Sequence, residues 1–435
     1  LLPLAAARAG MIHVPVNPLL KRAQVAHILA DSGARLIVGT PARLATLEPG
    51  DVPADCRAVA EPDWADDPAL DPLPASPADA DCHALAAIFY TSGSTGRPKG
   101  VMLSHANLSL GARSVAAYLG LGPDDVTLAL LPLSFDYGQN QLFSTWAAGG
   151  CVVPLDYLTP RDVVKAVARN GVTTLAAVPP LWIQLAELDW PADAVRPLRR
   201  LTNSGGALTP ALVRRLRTLF PAARLFAMYG LTEAFRSTFL DPALIDAHPT
   251  SMGTAIPYAE VMVVAPDGRE AGLGEPGELV HAGPLVAQGY WRDAARTAER
   301  FRPAPAFSTL GGTAVWSGDT VMRDANGLLH FVGRDDAMIK VSGNRVSPTE
   351  IEEAAMESGS VAEAVALGRK DERLGEAIVL LVRGRGEPDD AGLRAHLKTA
   401  LPNFMQPAEI VWRTELPRNP NGKLDRTALA AELAA

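Results

Sequence analysis

The chain has 435 residues, enough for two or three domains with substantial cores, and its 48% apolar and 20% charged residues are the balance of a globular protein. A net charge of −8 argues against nucleic acid or an anionic membrane as the main partner, and no apolar run approaches the ~20 residues that a membrane span requires. Cys56, Cys82 and Cys151 lie far apart and the eight histidines are scattered, which excludes a disulfide framework and a cysteine zinc site and fits a reducing, cytoplasmic setting.

The chain opens on LLPLAAARAG, a helical pattern with neither a leading Met nor a charged stretch, so a signal peptide is not indicated and an earlier segment is expected to be missing. IHVPV (12–16) predicts a strand. The helix after it carries Leu20, Ala23, Ile28 and Leu29 on one side and is stopped by Ser32-Gly33. Strands are then expected at LIV (from Leu36), AAIFY (Ala86), LALL (Leu128), CVV (Cys151), TLAAV (Thr174), RRLTN (Arg199) and RLFAM (Arg224), mostly with helices between. Thr159-Pro160 and Thr209-Pro210 each set a capping hydroxyl before a proline at the first helical position. Such alternation predicts an α/β fold with mainly parallel sheets. Between Glu61 and Asp81, seven acidic residues, five prolines and no base predict a solvated loop.

After residue 240 the pattern changes to short strands, with hairpin signals at Asp267-Gly268 and Asn326-Gly327. This β-rich part is expected to run to about 335. A small α+β domain is expected over 336–435, where Ser347-Pro348-Thr349-Glu350 has the spacing of a capping box.

The stretch TSGSTGRPKG, from Thr91 to Gly100, has the chemistry of a phosphate loop. Small residues let backbone N–H groups approach an anion, hydroxyls add donors, and Lys99 adds a point charge. It is not a Walker A loop: the position before Lys99 is Pro98, the position after it is Gly100, and neither suits a helix start or supplies a magnesium-binding hydroxyl.

Downstream lie MYGLTE (228–233), SGD (317–319), GRDDAMIKVSGNRVSPTEIE (333–352) and NPNGKLDR (419–426). With YTSGSTGRPKG, in this order, they closely resemble the AMP-forming adenylating superfamily, which includes acyl- and aryl-CoA synthetases and amino-acid adenylation domains. The resemblance covers almost the whole chain. It implies a large adenylate-forming core over 1–335 and a mobile small domain beyond it, with ATP, Mg2+ and CoA as reactants.

What the family resemblance implies can be placed residue by residue. Thr91, Ser92, Gly93, Ser94, Thr95, Gly96 and Lys99 would wrap the β- and γ-phosphates. Glu233 would help hold magnesium, because a hard cation favours carboxylate and phosphate oxygen. Thr232 would bond the α-phosphate. Tyr229 and Gly230 would lie against adenine opposite Gly205, Gly206 and Ala207, while Asp319 and Arg334 would meet the ribose. Lys423, on a turn-forming Asn-Pro-Asn-Gly, would reach the reacting carboxylate and α-phosphate after domain closure. Asp336 would be the hinge, and Gly343 would leave room for a pantetheine arm.

The acid itself is less defined. Phe135, Asp136, Asn140, Ala177, Ser204, Met228 and Arg236 map onto the family's substrate pocket. Phe135-Asp136 is similar to the amino-acid-activating members, in which this aspartate meets an ammonium. KVSGNRVSP (340–348) resembles acyl-CoA ligases, and MYGLTEAFRSTFL resembles bacterial ligases of exosortase or secondary-metabolite clusters. CoA is the expected thiol; the alternative is an amino-acid adenylating enzyme that loads a carrier protein. Asp136 and Arg236 either pair with each other or read polar groups on the acid. A binder without catalysis would need neither Lys423 nor Glu233.

Overall fold

The computed structural model describes residues 2–61, 81–91, 98–208, 210–334, 338–417 and 424–434. Most of the acidic stretch and the capping Thr209 lie outside the described residues.

The expected strand at Ile12–Val16 is absent: only His13 forms a bridge, to Ala87. Pro15 and Pro18 lack the N–H groups that a ladder needs. The helix Arg22–Ser32 does form and ends on Gly33, whose φ of +68° is the left-handed cap that glycine accepts without strain. Strands β1 (Leu36–Gly39) and β2 (Arg57–Ala60) form a small parallel pair. Strands β3 (Leu85–Thr91) and β4 (Lys99–Ser104) pair antiparallel, with Thr91 opposite Lys99. AAIFY was expected among the parallel strands and instead belongs to this hairpin, because the segment after it is too short for a parallel crossover.

The parallel sheet is built by β5 (Val126–Ala129), β6 (Cys151–Pro154), β7 (Thr174–Ala177), β8 (Arg200–Asn203) and β9 (Arg224–Tyr229), in the order β6-β5-β7-β8-β9. Its central strands β7 and β8 are buried along their whole length, as befits a sheet covered on both faces, while the edge strand β6 is partly exposed. The helix Pro160–Asn170 packs Val163, Val164, Ala166 and Val167 into that core beside Trp182, Leu185 and Phe220. Each such side chain contributes roughly 1.5–3 kcal/mol by leaving water.

From β9 the sheet continues antiparallel through β10 (Thr238–Phe239) and β11 (Ser251–Ala255). The β-rich part follows with β12 (Glu260–Val264), β13 (Gly277–Ala282), β14 (Phe301–Pro303), β15 (Thr313–Arg323) and β16 (Leu329–Arg334). Asn326-Gly327 turns β15 into β16, with Gly327 at φ +78°. Asp267-Gly268 instead closes a local turn bridged by Val264 and Glu270, and β13 starts only at Gly277, so the direct hairpin expected there is replaced by a longer connection.

A separate five-stranded sheet comprises β17 (Ile339–Val341), β18 (Asn344–Val346), β19 (Val361–Asp371), β20 (Gly375–Gly384) and β21 (Glu409–Arg413). The helices Pro348–Glu357 and Asp390–Ala400 bury Ile351, Ala355, Leu393 and Leu397 against it. The fold is therefore α/β, with a large sheet domain followed by a smaller one. Only half of the expected capping box forms. Ser347 Oγ accepts from the Glu350 N–H at 3.4 Å, but the Glu350 carboxylate turns away and accepts from Gln24 Nε2 at 2.7 Å.

Candidate active site

Strand β4, the turn after β9 and the segment at Tyr290, which bridges to Val101 of β4, bring three chemistry-bearing side chains together. Thr232, Glu233 and Ala234 form a single 3₁₀ turn, forced by Phe235 at φ +61°, a left-handed conformation costly for a bulky residue. The Phe235 ring fills the space beside Gly111, where a Cβ would lie 2.2 Å from it. This packing holds the turn so that Glu233 faces β4. There Lys99 Nζ lies 3.1 Å from Glu233 Oε1. The Tyr290 hydroxyl accepts from Lys99 Nζ at 2.7 Å and donates to Glu233 Oε1 at 2.7 Å.

Burial alone would push the Glu233 carboxyl up, but the Lys99 and Arg345 charges and the Tyr290 hydroxyl hold it well below the usual carboxylate range. Burial draws the Lys99 ammonium down, opposed by Glu233, and burial beside Glu233 drives the Tyr290 phenol up. The result is an ionised carboxylate, a neutral phenol and a desolvated ammonium at the foot of the β3–β4 loop. Ser92, Gly93, Ser94, Thr95 and Gly96 of that loop lie outside the described residues. Glu233, an ionised hard oxygen donor, fits the chemistry of Mg2+, which takes one or two carboxylates together with phosphate oxygens.

The small cleft at this cluster is bordered by Lys99, Glu233, Ser317, Asp319, Arg300 and Arg345. The Tyr229 hydroxyl donates to Asp319 Oδ2, so the residue expected at adenine and the residue expected at ribose are tied to each other. The Asp319 N–H bonds Ser317 Oγ at 3.1 Å, and across β15–β16 Asp319 pairs in register with Arg334. Gly205 has φ +82° at the end of β8, with Gly206 and Ala207 following it. A Cβ on Gly230 would stand 2.9 Å from Arg236 Cα, so the missing side chain lets the turn fold back on itself.

Gly343 comes from the small sheet. At φ +81°, it sits against Val178, where a Cβ would lie 2.7 Å from Val178 Cγ2. Its carbonyl oxygen is 3.8 Å from the Cβ position of Gly205. The β17–β18 hairpin is thus seated on the large domain, with Arg345 at the cleft. Lys423 and Asp336 lie outside the described residues.

None of the expected pocket residues lines this cleft. Asp136 opens the helix Asp136–Ala147 after Phe135, with Asn140 one turn on. Ala177 and Met228 are buried at the ends of β7 and β9, and the Tyr118 hydroxyl donates to Met228 Sδ at 2.9 Å. Arg236, 2% exposed, donates from Nη1 to Ser204 Oγ at 3.1 Å and lies 4.8 Å from the Tyr137 ring centroid. No ion pair joins Arg236 to Asp136 among the described residues, so the paired arrangement entertained from sequence is not formed. Burial pushes the Asp136 carboxyl up, opposed by the Arg236 charge.

Sequence reasoning missed Tyr290, Arg345 and Val178. Tyr290 follows Gly289 in a plain Gly-Tyr-Trp, and Val178 is one residue beyond Ala177; neither has a spacing that advertises a role. Arg345, two residues after Gly343, was within reach of the motif reading.

Residues 1–291 match the AMP-binding enzyme family, and residues 350–423 match the AMP-binding enzyme C-terminal domain. The chain belongs to the AMP-binding enzyme family. Among its relatives, the sulfoacetate–CoA ligase of Cupriavidus necator is 34% identical, covering 97% of this chain and 82% of that protein. The L-proline–[L-prolyl-carrier protein] ligase of Pseudomonas fluorescens is 31% identical, over 99% and 86% respectively. The structure is similar to the amide bond synthetase McbA from Marinactinospora thermotolerans, with TM-score 0.86, 27% identity, and coverage of 99% of this chain and 87% of that one. The chain spans only 5% of a linear gramicidin synthase from Brevibacillus parabrevis and 36% of the phosphinothricin tripeptide synthetase of Streptomyces viridochromogenes, both of which it also matches. Membership of the AMP-binding enzyme family implies the use of ATP. No helix among the described residues is long and apolar enough to cross a membrane.

Proposed function

We propose that the chain activates a carboxylic acid with ATP and transfers the acyl group to CoA. In the first step a substrate carboxylate oxygen attacks the α-phosphorus, the bond to the β-phosphate bridge breaks, and pyrophosphate leaves. In the second, the thiol sulfur attacks the acyl carbonyl, the bond to AMP breaks, and the thiol proton passes to solvent. Both steps bring anions together, so positioned charge supplies most of the rate.

In this reading Lys99 and the loop from Thr91 hold the departing phosphates, and Thr232 bonds the α-phosphate. Glu233 holds Mg2+, which when bound neutralises phosphate charge. The hydrogen bond between Tyr229 and Asp319 aligns the nucleoside site, with Arg334 across the strand. Lys423 serves the first step, and the chain turns about Asp336 to exchange it for the Gly343 hairpin. The domains divide at 335/336.

The observation that carries the choice of an acyl rather than an amino acid is Arg236. A substrate ammonium placed against Asp136 would share its buried site with a guanidinium, and like charges in a dry site repel strongly. The relatives use either CoA or a carrier protein. CoA is favoured here by the resemblance of residues 340–348 to acyl-CoA ligases. The test is mass detection of thioesters after incubation with ATP, an acid panel, and either CoA or a pantetheinylated carrier. CoA thioester is expected; carrier thioester alone would replace this reading with carrier loading.

A further inference from the structure

We propose that Arg236 reads a second anionic group on the substrate, so that the acid is a dicarboxylic or sulfo-carboxylic acid rather than a simple fatty or aryl acid. The inference rests on the ligase reading above and specifies its substrate class.

The argument starts from an unbalanced buried charge. Arg236 is among the largest fully buried side chains. Arginine keeps its charge whatever its surroundings, so burial must be offset by partners rather than by loss of a proton. The partners present are weak. Ser204 offers one neutral hydroxyl, and Tyr137 offers its ring face while its own hydroxyl is engaged with Thr202 at 2.7 Å. Arg236 Nε is buried with no hydrogen-bond partner. A guanidinium presents its donors as a planar fork that matches a carboxylate or sulfonate, and here part of that fork is unused.

The surroundings are arranged for an anion rather than for an internal pair. Asp136 is 5% exposed, and no ion pair joins it to Arg236 among the described residues. Burial favours its protonated form, which can donate a hydrogen bond to an arriving anion instead of repelling it. Asn140, one turn further along the same helix face, has a buried Oδ1 without a partner; its amide can present either N–H or C=O to a ligand. The turn after β9 and the Asp136–Ala147 helix thus each carry a buried polar atom that the protein itself leaves unsatisfied, Arg236 Nε and Asn140 Oδ1, and the Asp136 carboxyl on that helix lies within the field of the Arg236 charge. A buried polar atom without a partner calls for an explanation, and a ligand group that completes it is one.

The experiment is acid-dependent exchange of labelled pyrophosphate into ATP by the full chain. The probes are malonate, succinate, glutarate, adipate and 3-sulfopropionate, each dicarboxylate beside its monomethyl ester, with straight-chain monoacids and α-amino acids as comparison. At least one diacid should exceed its half-ester by ~100-fold or more in kcat/KM, the scale on which a site built for a polar group rejects an analogue lacking it. Arg236→Met should invert that preference, lowering the diacid and raising the half-ester, and Arg236→Lys should restore part of it. Half-esters or monoacids that match the diacids in the wild type would overturn the inference while leaving the ligase reading intact, as would an α-amino acid preference for the substrate class. Equal losses for all acids in Arg236→Met would show a merely structural arginine. If Arg236→Met does not fold, the wild-type ratio decides by itself. Exchange with no acid at all would remove the ligase reading, and this inference with it.

Discussion

Lys99 and Glu233, far apart in the chain, are held 3.1 Å from each other, and the Tyr290 hydroxyl bonds both. The two residues that would handle phosphate and magnesium are therefore partners of one another in this structure. Under the proposed reading Glu233 would hold magnesium and Lys99 would meet phosphate, with the Tyr290 hydroxyl within reach of both.

Tyr290→Phe removes that hydroxyl while keeping the ring beneath Lys99. The hydroxyl makes two hydrogen bonds to charged groups, each worth about 1.5–3 kcal/mol. The KM for magnesium–ATP is expected to rise about tenfold, with the KM for the acid little changed, in pyrophosphate exchange at varied magnesium. An unchanged KM for ATP would assign Tyr290 to packing alone.

Gly343 and Lys423 should fail in opposite half-reactions. Gly343→Ala places a methyl group against Val178 at a φ that L residues seldom adopt. Thioester formation from supplied acyl-adenylate should drop by roughly 100-fold while adenylation persists, and Val178→Ala should recover part of the loss, since the two residues touch. Lys423→Ala should abolish adenylation and spare the thioester step. Equal losses in both steps for either variant would contradict the exchange of Lys423 for the hairpin.

Much of this arrangement was legible in the sequence because charge and backbone conformation leave local marks. Gly33 ending its helix, Pro160 and Pro210 opening theirs, and Asn326-Gly327 turning one strand into the next are short-range features, and they stand where they were expected. What was illegible depends on distant packing. Tyr290 acquires its place only when β4 meets the turn after β9, and Val178 matters only because a hairpin from another sheet lands on it. IHVPV has the apolar alternation of a strand, yet Pro15 lacks the N–H that a ladder needs and only His13 forms a bridge. Glu350 has capping-box spacing, yet the Gln24 side chain draws it away from Ser347.

That Glu350 contact predicts a pH dependence. Burial pushes the Glu350 carboxyl up to about 7, against the opposing bond from Gln24, while Glu353 adds like charge. The seated arrangement therefore binds a proton that the exposed carboxyl would release near its ordinary value. Its stability is fully present below pH ~4.5, is lost as pH rises through about 7, and changes little above that. The thioester step, measured from supplied acyl-adenylate, should weaken relative to adenylation between pH 5.5 and 7.5. Glu350→Gln should flatten the ratio; an unaltered profile would remove the link.

His281 predicts a second, separate dependence. It is fully buried, bonds Ser237 Oγ through Nδ1 at 2.9 Å, and burial lowers its pKa to about 4. The unfolded chain takes up a proton near pH 6.5 that the folded chain refuses, so stability is full above ~6.5 and declines as pH falls toward 4. Thermal melts from pH 4.5 to 7.5 should show this slope reduced in His281→Phe; equal slopes would contradict it.

The central claim, that the chain forms an acyl-adenylate, is tested most directly by the nucleotide product. Wild-type protein incubated with ATP, magnesium, the acid panel and CoA should produce AMP and pyrophosphate in step with CoA thioester, and without CoA it should exchange labelled pyrophosphate into ATP only when an acid is present. Release of ADP and phosphate, or exchange that is absent for every acid, would contradict the account.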